Sequence, residues 1–280
     1  MKNKSKYYAY PYIVWIIMFI LLPVFLVFLY SFTKKNVGGT ANISFTLENY
    51  KLFLNTMYIR ILLKSLLLAA VSTILCLLIG YPAAYLISKA PISRKSTMLF
   101  LCVVPMWMNM LLRTYAWMTI LGNNGIINHF LINIGLPKLS LLYNDFAVVL
   151  GMVYNFLPFM ILPIYTVLSK LDNSLIQAAE DLGANSRTTF KKVIFPLSMP
   201  GVITGIVMVF MPAVSTFIIP RLLGGQKDFF IGSLIENLFS VGSNWNFGSA
   251  VSIIMMIIIL ISMSIMNKFD VDKEGGAGLW

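Results

Sequence analysis

The sequence predicts an all-α integral membrane protein with six transmembrane helices, from its composition, its apolar runs and the placement of its positive charges. Of its 280 residues, 59% are hydrophobic and only 11% charged, and the mean hydropathy is +0.83. A soluble domain of that length could not cover such a composition with polar surface. A spanning helix needs about 20 apolar residues to cross a hydrocarbon core of roughly 30 Å. Six stretches qualify, at about 12–32, 61–88, 97–121, 146–169, 198–220 and 248–267. They use most of the chain, so residues 1–280 read as one transmembrane domain with no sizeable soluble unit.

The net charge of +11 would suggest nucleic acid as a partner in a soluble chain, but its distribution excludes that reading. With the N-terminus inside, the cytoplasmic cations are Lys2, Lys4, Lys6, Lys89, Arg94, Lys95, Lys170, Arg187, Lys191, Lys192, Lys268 and Lys273. The opposite side carries Lys34, Lys35, Lys51, Arg60, Lys138, Arg221 and Lys227, spread over longer loops. Twelve against seven follows the positive-inside rule and sets both termini in the cytoplasm. The first apolar run is as long as a full span and no small-residue cleavage site follows it, so it reads as a retained anchor. Cys76 and Cys102 fall inside the second and third spans and read as packing residues, not as a disulfide or metal pair.

Along the chain, an external loop over 34–60 follows the first span. The second span ends at Gly80-Tyr-Pro-Ala-Ala-Tyr85, and a short basic turn from Lys89 to Ser96 leads into the third. The external loop 122–145 is rich in turn residues, with Gly122-Asn-Asn-Gly125 and Gly135-Leu-Pro137. Pro105, Pro158, Pro163 and Pro212 lie inside predicted spans, where proline removes a backbone donor and kinks the helix. Membranes tolerate such sites where neighbouring helices or cavity water satisfy the freed carbonyls, so kinked spans fit a pathway. The glycine-punctuated segment Leu222–Asn246 reads either as an ordinary external loop or as one holding a short helix or re-entrant piece.

The polar loop over 172–196 interrupts this pattern. Asp172, Asn173 and Ser174 offer N-cap oxygens, and Leu175 to Leu182 makes about two helical turns ending at Gly183, a natural C′ residue. Leu175, Ala178, Ala179 and Leu182 recur at helical spacing and give a small-residue face. Asn185 or Ser186 can cap a second helix from Arg187 to Phe195, stopped at Pro196, with Phe190, Val193 and Ile194 grouped on it. Two such helices with a tight glycine turn make a compact knob whose hydrophobic side would seat in a partner's groove. An amphipathic hairpin lying on the inner leaflet, its lysines among lipid headgroups, satisfies the same pattern.

The composite Gln177-Ala178-Ala179, three residues, Gly183, nine residues, then Val193-Ile-Phe-Pro196 resembles the EAA loop of ABC importer permeases, the inner-membrane components of binding-protein-dependent transport systems. Gln177 stands where that loop usually has Glu, keeping length and hydrogen bonding but losing charge; Glu180 lies on roughly the same face. Almost end to end the chain resembles the spermidine/putrescine permeases of the PotB type. That likeness rests on Phe45-Thr-Leu-Glu-Asn-Tyr50, Gly80-Tyr-Pro82, Val104-Pro-Met-Trp107, Leu112-Arg-Thr-Tyr115, Leu157-Pro-Phe159, Asp181-Leu-Gly-Ala184, Pro196-Leu-Ser-Met-Pro-Gly201 and Leu223-Gly-Gly225. Lys64 departs from it, standing where a small polar residue is expected; near the external end of its span it can snorkel outward.

The resemblance implies a type I (MetI-like) importer permease fold with cytoplasmic EAA coupling helices. It implies a second permease (PotC type), an ATPase dimer (PotA type) holding ATP and Mg, and an external or periplasmic polyamine-binding protein (PotD type). Coupling would fall to Gln177, Ala178, Ala179, Glu180, Asp181, Gly183, Phe190 and Pro196. The chain has no Gly-x4-Gly-Lys-Ser/Thr phosphate loop, so an ATP-driven reading requires a partner to hydrolyse ATP, and no cofactor is expected in the chain itself. Related permeases for ferric iron, thiosulfate or opines share the loop but fewer of the other motifs. An ion-coupled carrier or a membrane-embedded enzyme would need an intramembrane carboxylate relay or a nucleophile–base set, and neither is evident.

A polyamine calls for carboxylates or carbonyls toward its ammoniums and aromatic faces for cation–π contact, each worth about 0.5–2 kcal/mol. The acids outside the coupling loop and the C-terminal tail are Glu48, Asp145, Asp228 and Glu236, all toward the external side. Pathway candidates are thus Asp145 and Glu236 with Trp107, Tyr115, Trp117 and Tyr154. Trp107, Met110, Thr114 and Trp117 would share an arc of about 80° on one continuous helix, as a pathway lining or in part an interfacial belt. Arg113, an intramembrane charge, is expected to anchor helices, with Asn155 a weaker candidate and His129 a solvated loop residue.

Overall fold

The computed structural model describes residues 4–34, 44–225, 230–241 and 244–268, with side chains of 4–9 and 266–268 excepted. Lys2, Lys35, Lys227, Asp228 and Lys273 lie outside the described residues. Apart from one isolated bridge between Thr33 and Phe45, the described residues are helices and their connections. The first span is α1 (Lys4–Ile16), a π-helical turn over Ile17–Leu21 and α2 (Leu22–Ser31). Its apolar residues from Tyr10 onward are almost all exposed, as expected of a peripheral helix facing lipid or another subunit.

After α3 (Glu48–Phe53), the long α4 (Thr56–Lys89) is started by Asn55, whose side chain accepts from the Met57 N–H. The centre of the molecule is α4 packed on α8 (Asp145–Ser169), and α8 packed on α11 (Phe195–Ser215). Small residues let these backbones approach. Met160 of α8 is fully buried between glycines of two helices: a Cβ at Gly80 would lie 2.9 Å from its Cγ, and one at Gly205 2.7 Å from its Sδ. Apolar packing gains nothing over lipid for helices in a bilayer, so contact area set by small residues decides which helices pair. Hydroxyls add bonds where they are buried. Tyr81 Oη lies 2.8 Å from Ser198 Oγ, joining α4 to α11.

The stretch expected as one third span, 97–121, is broken: the segments Ile92–Trp107 and Met110–Asn133 lie at 92° to each other. α5 (Ile92–Trp107) ends two residues after Pro105, and α6 (Met110–Leu121) begins in a new direction. Asn109 is the cause visible in the chain: its side chain accepts from the Leu111 N–H at 2.8 Å and restarts the helix as an N-cap. Spacing at 100° per residue could not register this, because Met108 and Asn109 are compatible with a helix by hydropathy.

The fifth span also differs. It runs from Ser186 to Ser215, through α10 (Ser186–Thr189) and a π-helical turn at Phe190–Ile194 into α11, and Pro196 does not stop it. In the π turn the Phe195 N–H bonds Phe190 O, five residues back, and Pro196 follows where its absent N–H is tolerated. The expected second short helix is therefore the lower end of the span itself.

On the external side, α7 (Ile126–Asn133) follows α6 and α12 (Ile218–Leu223) follows α11, and the 222–246 segment does contain a short helix, α13 (Ile231–Ser240), ahead of α14 (Trp245–Lys268). α13 is locked to the core through Ser65 Oγ of α4, which accepts from the buried Ile231 N–H at 2.9 Å. Ser65→Ala leaves that donor without an acceptor, at a cost of about 1–3 kcal/mol. Faster hydrogen exchange over 231–240 and a lower unfolding temperature in detergent are the expected results; unchanged exchange there would contradict the assignment.

Candidate functional site

The 172–185 stretch is built as a rigid projection. Asp172 accepts from the Ser174 N–H at 2.9 Å and starts α9 (Asn173–Asp181). That bond holds the Asp172 carboxyl below the usual carboxylate range. The cap is therefore complete at neutral pH and is lost only in acid, as pH falls through the lowered value. At the other end Gly183 has φ +82°, with Gly183 N–H to Glu180 O at 2.8 Å and Ala184 N–H to Ala179 O at 3.0 Å. This pair of bonds is a Schellman motif, which satisfies the last carbonyls of the helix. Asn185 then caps the next helix, accepting from the Thr188 N–H at 2.9 Å.

The faces of this projection are not those the spacing suggested. Leu175, Gln177, Ala178, Glu180 and Asp181 are exposed, and Leu182 is 90% exposed. Ile176 and Ala179 turn inward, and Ile176 packs on the core. Phe190 and Ile194, expected to meet a partner, instead face this chain. Ile194 is 4% exposed, and the Phe190 ring makes edge contacts with Tyr81 at 5.9 Å and Tyr85 at 5.6 Å, both on α4. The reason is the π turn, which rotates residues 190–194 relative to a regular helix leading into α11. Phe190 is thus a mooring for the loop, while Gln177, Ala178, Glu180 and Leu182 are its outer surface. Ile176, Tyr81 and Tyr85 were missed; the one signal for Ile176 was its being the large apolar residue on an otherwise small or polar inner face.

The pathway candidates separate in space. Trp107 ends α5 and is 75% exposed, stacked edgewise on Phe100 at 5.9 Å, so the bend removes it from the stripe on α6. Trp117 and Tyr154 are brought together, their rings 5.4 Å apart and T-shaped. Arg113, one turn before Trp117, is 8% exposed and its guanidinium carbon lies 5.9 Å from the Tyr154 ring centre. Its Nε and Nη1 have no acceptor among the described residues, and neither does the buried Asn155 Oδ1 a donor. Tyr115 points outward from α6. His129 is exposed, as expected.

The carboxylates are already engaged. Asp145 binds Lys64 Nζ at 3.0 Å, and that ammonium also lies 5.9 Å from the Phe230 ring centre, so Lys64 has a structural part that snorkelling did not foresee. Glu236 binds Arg221 at 2.8 Å, and Glu48 binds Lys34 at 3.2 Å. The described acids toward that side are therefore each neutralised within the chain. No group of three or more potential metal ligands occurs among the described residues.

A family model for binding-protein-dependent transport system inner membrane components matches residues 3–270. The chain belongs to that family. This inner membrane component is accordingly a multi-pass protein of the bacterial inner membrane and a permease subunit of the ABC transporter class. It is 43% identical over 241 residues to the spermidine/putrescine transport system permease protein PotB of Haemophilus influenzae, covering 85% of this chain and 84% of that one. The protein of the same name in Escherichia coli (strain K12) is 38% identical over 246 residues, covering 87% and 90%. Among solved structures, a bacterial alginate ABC transporter in complex with an alginate pentasaccharide-bound periplasmic protein contains a chain that superposes at TM-score 0.80. Its identity is 17%, with 96% of this chain and 95% of that chain covered. A chain of the inward-facing MetNI methionine ABC transporter superposes at TM-score 0.60 and 16% identity, covering 78% and 96%. At such identities the likeness is one of fold, and the fold of this inner membrane component is that of the MetI-like importer permeases.

Proposed function

We propose that this chain is a permease subunit of an ATP-driven polyamine importer, carrying spermidine, putrescine or both. The observation that carries the reading is the identity of 37–43% to PotB proteins over nearly the whole of both chains. On this reading the chain is one transmembrane domain with both termini in the cytoplasm. It pairs with a second permease, receives cargo from a periplasmic polyamine-binding protein, and docks an ATPase dimer that binds ATP and Mg. The exposed face of α9, with Gln177, Ala178, Glu180 and Asp181, is the docking surface. Movement of the ATPase subunits is passed inward because α9 is tied by Ile176 to the core and the chain runs without a break from Ser186 into the fifth span.

Trp117 and Tyr154 are the pathway candidates that lie together, and because the Arg113 guanidinium already lies 5.9 Å from the Tyr154 ring centre, any aromatic contact with an alkylammonium falls to Trp117. Asp145 and Glu236 are neutralised by Lys64 and Arg221, so the counter-charges for a polycation are supplied by the second permease or the binding protein.

The test is uptake of radiolabelled spermidine by vesicles holding the reconstituted complex. Competition by putrescine and spermidine, with ATP required, is expected; competition by thiosulfate or ferric iron in their place would overturn the cargo. Gradient-driven uptake by this chain alone would overturn the class. Within that assay, Gly183→Val forces a β-branched residue into the left-handed region, at a cost of about 1–2 kcal/mol, although a Cβ there meets nothing within 4 Å. Uptake is expected to fall severalfold with Val and much less with Asn, which tolerates that conformation. Equal losses for the two would sink the conformational argument.

A further inference from the structure

A polar cleft of about 230 Å³ lies at the root of α9, walled by the ends of α4 and α8 and the starts of α5 and α9. Lys89, Lys95, Tyr85, Ser88, Ser169 and Asn173 line it, with Ile176 at its α9 side. Ser88 and Ser169 donate their hydroxyl protons to Tyr85 O and Thr166 O, so the side-chain donors left among the lining residues are the two ammoniums, the Asn173 amide and the Tyr85 hydroxyl. No carboxylate lines it, and neither lysine has an ion pair among the described residues. Asp172, its closest acid in sequence, is turned to the Ser174 N–H.

A walled cavity with two cations and no counter-charge fits a phosphate-bearing ligand. Its surroundings name the source. Ile92, between the two lysines in sequence, is 88% exposed, and Leu86 on the last turns of α4 is also exposed. Such apolar residues beside a basic rim belong at a lipid headgroup boundary, where ammoniums meet phosphates and apolar side chains meet acyl chains.

We infer that this cleft is a headgroup site for an anionic phospholipid, binding the phosphodiester between Lys89 and Lys95. The bound headgroup braces α9 through the Asn173 amide at its first residue and so sets the stiffness of the coupling loop. The loop's role in coupling rests on the proposed function; the lipid site itself does not.

Full-length chain in detergent is to be compared with Lys89→Ala/Lys95→Ala and with Lys89→Arg/Lys95→Arg, by native mass spectrometry and thermal unfolding. Added probes are phosphatidylglycerol, phosphatidylcholine and inorganic phosphate. Wild type should retain phosphatidylglycerol and be stabilised by it, with phosphatidylcholine weaker. The double alanine variant should bind it roughly 30-fold more weakly, about fivefold per lysine. The double arginine variant should bind as wild type does, and hydrogen exchange over 173–181 should slow when phosphatidylglycerol is added. Equal retention by wild type and the alanine variant, or equal stabilisation by the two lipids, overturns the site. Stabilisation by inorganic phosphate but not by phosphatidylglycerol overturns the lipid source. Should the alanine variant not fold, the comparison of lipids on wild type decides. None of these readings depends on uptake, so a failure here leaves the transport assignment to its own assay.

Discussion

Phe190→Ala is expected to cut uptake at least tenfold while leaving the ATPase able to associate. The ring joins the coupling loop to α4 through Tyr81 and Tyr85 and also contacts Phe195 at 6.3 Å. A fully buried Phe→Ala change costs about 3–5 kcal/mol; Phe190 is half-buried, and about 2 kcal/mol is a fair share. That is a roughly thirtyfold larger population in which the loop is detached from the spans. The outer face of α9, with Gln177 and Ala178, is untouched, so the partner still binds but its motion no longer reaches α4. Co-purification of the ATPase, its hydrolysis rate and spermidine uptake would be measured together. Phe190→Leu should recover part of the loss. Lost association with normal uptake per assembled complex would instead make Phe190 a partner contact, as the spacing first suggested.

Gly201→Leu is expected to have the largest effect on stability. A Cβ at Gly201 would lie 2.8 Å from Pro163 O and 3.0 Å from the Ile164 Cα. Both are backbone atoms of α8, which cannot rotate away as a side chain would, so α8 and α11 must separate. Overpacking of that kind costs about 3 kcal/mol and can exceed it. Separation also weakens the Met160 contact with Gly205 one turn on. Unfolding temperature in detergent and the yield of folded protein are the measurements, with Gly201→Ala as the milder step. Wild-type stability in the leucine variant would show that the crossing is not tight. Gly183 provides the contrast, because no atom crowds its Cβ position and only its φ matters.

Much of the coupling loop was legible in the residues. Asp172 and Asn185 are caps because their short side chains reach a backbone N–H two or three residues on, and Gly183 ends α9 because it accepts a positive φ. These are local interactions and need only local sequence. The inward turn of Phe190 and Ile194 was not legible, since a π-helical turn changes residue facing without changing residue type. The break at Asn109 was hidden for a related reason: an N-cap asparagine and a mid-helix asparagine read alike until the chain direction is known. Ion pairs such as Lys64–Asp145, with the rest of α4 and all of α5, α6 and α7 between them in sequence, require the tertiary arrangement before they can be seen at all.

By itself the sequence determined that this is a multi-pass membrane protein, because hydrocarbon thickness and positive-inside insertion act on composition and charge order; the permease class came from the resemblance of Gln177–Pro196 to the EAA loop. It also determined where the polar loop stands and how α9 begins and ends, because capping is local. Only the tertiary structure decided which face of that loop is free, which acids are already neutralised, and that the third span bends by 92°. Those outcomes depend on helices meeting at a distance in sequence, where packing of Gly80, Met160, Gly201 and Gly205 sets how closely they approach.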